Sequence, residues 1–100
     1  MELNGDYIAS NAFEGCIELV DIKMNNSIYN LGEAAFLNCS NLPAIQLSTS
    51  LKEVPANAFS GCTFLNDVVI PYGVTSIGDG AFKNCTSLNN IMIPQNVKAI

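Results

Sequence analysis

Apolar residues recur along the chain at one fixed spacing, and between them polar residues vary freely. A shift of 23 residues brings Ala12, Ala35, Ala58 and Ala81 into one column, each followed by Phe13, Phe36, Phe59 or Phe82. Cys16, Cys39, Cys62 and Cys85 make the next column, then Leu19, Leu42, Leu65 and Leu88, then Ile22, Ile45, Val68 and Ile91. No gap is needed anywhere. Fixed apolar columns at such a period predict a solenoid, in which each coil buries its inner face against its neighbours.

Within a unit the segment LxxIxI, as in Leu88, Ile91 and Ile93, alternates apolar and variable positions. It reads as a short strand with one face buried. Stacked at one register, these strands run parallel at about 4.8 Å. Val74 and Ile77 mark a second, shorter extended segment on the opposite side. The run GDGAFKNC predicts a single helical turn that points Phe82 and Cys85 inward. Proline has no N–H to give a ladder, so the strand of the third unit should begin after Pro43, at Ala44. The first unit is degenerate, with Gly5 where later units have Ile28, Leu51 and Val74. Met1 falls in the column of Met24 and Ile100 in that of Leu31, so residues 1–100 are expected to be one array of about four repeats, truncated inside a repeat at both ends.

AFxxCxxLxxIxIP with a following VxxIG resembles the 23-residue class of leucine-rich repeat found in BspA-like surface proteins of bacteria and protists. The resemblance covers almost the whole chain. Departures are Gly5, Pro43 before a strand, and Pro55 where Gly32 and Gly78 stand. It implies a leucine-rich repeat solenoid in a secreted or cell-surface, adhesin-like protein with a protein ligand, a host or matrix protein among the candidates. Alternatives of other classes are a passive structural spacer and an intracellular protist scaffold.

Charge narrows the partners. The net charge is -5, and the only basic side chains, Lys23, Lys52, Lys83 and Lys98, are scattered, which is no footprint for nucleic acid. No apolar run is long enough to insert in a membrane as a helix. Contacts with neighbouring repeats of a parent chain are expected instead.

Catalytic and cofactor chemistry finds little support. There is no histidine, hence no imidazole base or ligand. Four cysteines one repeat apart form a straight column, not a tetrahedral zinc cage, and parallel side chains hold neighbouring Cβ atoms too far apart for a disulfide. Free buried thiols are the expectation, with no metal and no cofactor. Asp21 and Asp67 share a column two repeats apart, too far for a carboxylate dyad, and Gly78 and Gly80 lack the lysine of a phosphate loop. Asn25, Asn38 and Asn84 open N-x-Ser/Thr triplets, two of them generated by the repeat itself.

The outward strand positions remain. Asp21, Ala44, Asp67 and Asn90 form one surface column, and Lys23, Gln46, Val69 and Met92 a second that turns apolar toward the C-terminus. Asp67, Val69, Asn90, Met92, Lys23 and Gln46 are therefore the candidate protein-binding residues, on a face that solenoids vary without cost to the core.

Overall fold

The computed structural model describes residues 1–98, with Asn90 described by its backbone alone; the expectation for Ile100 lies outside the described residues. Nine short strands follow one another: β1 (Glu2–Leu3), β2 (Tyr7–Ile8), β3 (Lys23–Met24), β4 (Asn30–Leu31), β5 (Ala44–Gln46), β6 (Glu53–Val54), β7 (Asp67–Val69), β8 (Ser76–Ile77) and β9 (Asn90–Ile91). Odd-numbered strands stack in a first row and even-numbered strands in a second, all pairs parallel. The described residues thus make four coils and begin a fifth. As expected, β5 starts at Ala44, immediately after Pro43.

One core cluster fills the coil. Phe13, Phe36, Phe59 and Phe82 stack face to face, with centroids 5.3, 5.2 and 5.6 Å apart and planes within 7° of parallel. Beside them lie Leu42, Leu65, Ile45, Leu47, Leu51, Val54 and Val74, all buried. Burial fades in the fifth coil, where Ile93 is 41 % exposed although its column mates Leu47 and Ile70 are buried. No coil stacks on its far side among the described residues, so alternation alone cannot bury it.

The first coil departs from the ungapped alignment. Leu3, not Met1, lies opposite Met24, while Tyr7 and Ile8 keep the 23-residue register with Asn30 and Leu31. The link between β1 and β2 is therefore two residues shorter than its counterpart between β3 and β4. Gly5 closes it with φ +100°, a conformation that needs no Cβ, and so it is a turn residue, not a failed core position.

The expected helical turn at Ala-Phe-x-x-Cys is also replaced. Amides alternate: those of Ala12, Glu14 and Cys16 bond carbonyls three residues back, at 3.2, 3.3 and 3.1 Å, while those of Asn11, Phe13 and Gly15 bond Glu33, Ala35 and Leu37 of the next coil. A helix would claim every amide for itself, so a segment that shares half of them with its neighbour cannot become one. Two columns take left-handed backbone to make this possible: Asn11, Ala34, Asn57 and Gly80, and Gly15, Asn38, Gly61 and Asn84. Phenylalanine and cysteine still point inward, as expected.

Gly32 and Gly78 serve a different need. A Cβ on Gly32 would lie 2.2 Å from the Ser10 amide nitrogen, and one on Gly78 would lie 2.5 Å from that of Ala56. Their own amides bond the preceding coil, to Ile8 and Val54 carbonyls at 2.8 and 2.7 Å. In the third coil this column holds Pro55, which has a Cβ and no N–H.

Pro43 and Pro55 together interrupt both rows at one boundary. Among the described residues, β3 has no ladder bond to β5 and β4 none to β6, whereas both rows are continuous from the first coil to the second and from the third to the fourth. Side chains take over there. Ser48 Oγ donates to the Ile28 carbonyl at 2.5 Å, Ser50 Oγ to the Asn26 carbonyl at 2.6 Å, and the Thr49 amide to Asn26 Oδ1 at 3.0 Å. The turn segments keep three main-chain bonds, from Ala34, Phe36 and Asn38 to Ala56, Ala58 and Ser60.

Candidate functional site

Alternation on the first row sends Met24, Leu47 and Ile70 inward and leaves Lys23, Gln46 and Val69 exposed. Asp21, Ala44 and Asp67 are likewise exposed, two residues back along each strand. Register places Gln46 opposite Val69 and Ala44 opposite Asp67, and Asn90 pairs with Asp67 through its backbone. Val69 is 48 % and Met92 82 % exposed, large values for apolar side chains on a face that has polar alternatives.

These positions divide among three hollows. A groove of about 400 Å³ gathers Asp67, Val69, Ile70, Tyr72, Met92 and Pro94. A smaller hollow of about 270 Å³ lies over Ala44, between Val20 and Asp21 on one side and Gln46, Asp67 and Val69 on the other. Lys23 and Gln46 line a third depression with Met24 and Asn26. The structure therefore brings Asp67, Val69 and Met92 together and sets Lys23 apart from them. A hollow of about 440 Å³ around Phe13, Cys16 and Leu19 is the end face of the stack, lined by members of the core columns.

Tyr72 and Pro94 were not legible as site residues. They follow the strands, where period-two alternation no longer says which way a side chain points. The available signal was that Tyr72 is a large aromatic in a column that holds Asn26, Thr49 and Gln95 in the neighbouring units, and it is 68 % exposed.

The cysteine column is a ladder of donors. Sγ of Cys39, Cys62 and Cys85 donates to the carbonyl of Phe13, Phe36 and Phe59 in the preceding coil, at 3.0, 3.1 and 3.1 Å. All four cysteines are free, with Cys39 and Cys62 buried. Desolvation pushes the Cys39 thiol up to about 11 and the Cys62 thiol up to about 12, with the neighbouring thiols of the column adding to both. Desolvation also raises Cys85. Such thiols are poor nucleophiles. In native protein near neutral pH, Cys39 and Cys62 are expected to react with Ellman's reagent only on unfolding, and rapid reaction of all four would contradict the buried ladder. Because the folded pKa values lie above the unfolded value of 9.0, their contribution to stability is whole below pH 9 and is lost as pH rises toward 11 and 12. A melting temperature measured across that range should fall above pH 9.

The N-x-Ser/Thr triplets have a local explanation. Asn38 and Asn84 occupy left-handed backbone, where asparagine and glycine are the residues of choice. Asn25 Oδ1 accepts from the Ser27 amide at 2.8 Å, a turn of the kind asparagine favours.

A family model described as BspA type leucine rich repeat region matches residues 2–100, in six copies where the 23-residue period counts about four repeats. Among solved structures, a leucine-rich cell surface protein of Faecalibacterium prausnitzii superposes with a TM-score of 0.93 at 36 % identity, over 97 % of this chain and 26 % of that one. The leucine-rich repeat protein of T. pallidum gives 0.92 at 35 % identity, over 98 % and 46 %. A leucine-rich repeat protein of Bacteroides ovatus gives 0.92 at 37 %, over 97 % and 25 %. The chain thus spans between a quarter and a half of the solved relatives it matches. No curated protein matches.

Proposed function

Since the chain belongs to the BspA-type leucine-rich repeat family, we propose that it is a non-catalytic protein-binding module of a secreted or cell-surface, adhesin-like protein, with a protein ligand for which host and matrix proteins are candidates. It is a repeat module related to cell-surface leucine-rich proteins, and one relative of matching fold is described as such. No helix among the described residues is long and apolar enough to cross a membrane.

The observation that carries the reading is the groove at β7 and β9. Val69 and Met92 stand out from the sheet beside Tyr72 and Pro94, with Asp67 at the rim. Exposed apolar anchors ringed by polar groups are where binding energy concentrates, and methionine adapts to irregular partners. Asp67, Val69, Asn90 and Met92 form the contact, and Lys23 and Gln46 flank it.

The test is capture from host-surface or extracellular-matrix extract by this chain and by a Val69→Asp/Met92→Asp variant. Both substitutions are on the surface, so the melting curve should hardly move, and affinity for the captured protein should fall roughly 30-fold or more. Equal capture by both would remove the groove from the contact, and no capture by either would favour the spacer reading.

A further inference from the structure

The hollow over Ala44 and the apolar groove adjoin one another, with Asp67 and Val69 lining both. Their chemistry differs. The groove offers Val69, Tyr72, Met92 and Pro94, whereas the hollow is walled by the carboxylates Asp21 and Asp67, in the same column as Ala44 one coil before and one coil after it, and the Ala44 methyl leaves its floor open.

Cations do not answer these carboxylates on the same face. Lys23 stands in register with Glu2 and lines a separate depression with Met24, Asn26 and Gln46. The N-terminal ammonium donates to the Asp21 main-chain carbonyl at 3.0 Å and is not among the groups that line the hollow. Lys52 and Lys98 precede or parallel the entry to the second row, and Lys83 sits in the Ala-Phe turn. The face is thus apolar at one end and anionic at the other, in a chain of net charge -5.

We infer that the segment this face receives is cationic as well as apolar: a lysine or arginine seated over Ala44 between Asp21 and Asp67, and an apolar side chain in the groove between Val69 and Met92. This rests on the first row being the binding face. The two seats lie one and a half coils apart along the stack and two residues apart along the strands, a diagonal of about 10 Å at ordinary strand spacings. In a polyproline II segment, residues three apart point the same way about 9 Å from one another. The recognised pattern is therefore basic-x-x-apolar, or its reverse, in an extended proline-compatible segment, with the ion pairs setting register and encounter and the apolar seat supplying retention.

Two synthetic peptides, acetyl-PKPPLP-amide and acetyl-PLPPKP-amide, test this directly when titrated into the isotope-labelled chain and followed by amide chemical shifts. At least one should give saturable shifts at Asp21, Ala44, Asp67 and Val69. Replacing its lysine by glutamate should weaken binding roughly tenfold or more, as should an Asp21→Asn/Asp67→Asn variant of unchanged melting temperature, and about 0.5 M salt should have the same effect. Equal binding of lysine and glutamate peptides, indifference to the double asparagine variant, or no saturable shift with either lysine peptide would overturn the inference. The extract capture is a separate judge. Capture lost in Val69→Asp/Met92→Asp but kept in Asp21→Asn/Asp67→Asn would retain a protein-binding groove and reject a cationic partner.

Discussion

Phe59→Ala is expected to remove a large share of the protein's stability and to lower its urea midpoint sharply. Its ring is fully buried between Phe36 and Phe82, at 5.2 and 5.6 Å, and neighbouring coils hold it in place through the Phe59 amide bond to Ala81 at 2.8 Å. Truncation removes the apolar surface and leaves a void that flanking rings cannot fill, since each is fixed by its own coil. Such changes cost about 3–5 kcal/mol, against a total stability of about 5–15 kcal/mol for domains of this size. Phe82 is only partly buried, so Phe82→Ala should cost less. Urea midpoints for the three proteins would show this ordering, and a Phe59→Ala midpoint near that of the parent would mean that the stack contributes little.

Gly32→Ala should be nearly as damaging, for the opposite reason. Here an atom is added where backbone already lies: the new Cβ would stand 2.2 Å from the Ser10 nitrogen and 2.6 Å from the Ala9 carbonyl carbon. Neither can swing away, and moving the coil apart breaks the 2.8 Å bond from Gly32 to the Ile8 carbonyl. A cost of about 3 kcal/mol follows, at the upper end of ordinary overpacking. Gly15→Ala is the informative control, because Gly15 has φ +72° but open space around it. It bears only left-handed strain, about 1–2 kcal/mol. Thermal melts that rank Gly15→Ala as the more harmful would refute close coil approach at Gly32.

What the sequence made legible was whatever depends on equal spacing. The phenylalanine stack, the inward thiols, the parallel rows and the start of β5 after Pro43 all follow from columns 23 residues apart. Exposure of Val69 and Met92 follows from strand alternation in the same way. Features that break the spacing were hidden. The short link at Gly5 imitates a defective repeat when aligned without a gap. The turn at Ala-Phe-x-x-Cys has helical spacing of its apolar residues, yet its amides are divided between two coils, which no intra-repeat pattern reveals. A clue was present in the alternation of Asn and Gly at Gly15, Asn38, Gly61 and Asn84, a signature of left-handed backbone, although Ala34 obscures its sister column. Tyr72 and Pro94 join the groove from outside the strands, beyond the reach of alternation.

The boundary marked by Pro43 and Pro55 also bears on mechanics. A pulling force along the stack is carried by main-chain ladders in both rows between the first and second coils and between the third and fourth. Across this one boundary it falls on the turn ladder at Ala34, Phe36 and Asn38, the hydroxyls of Ser48 and Ser50, the Thr49 amide and the Cys62 thiol, bonds that no strand ties together. The rupture force is expected to be lowest there, with the pieces that separate each keeping their own ladders. For a chain held against shear, the two prolines would then set a yield point at which the first two coils come away while the coils that carry Val69 and Met92 stay folded.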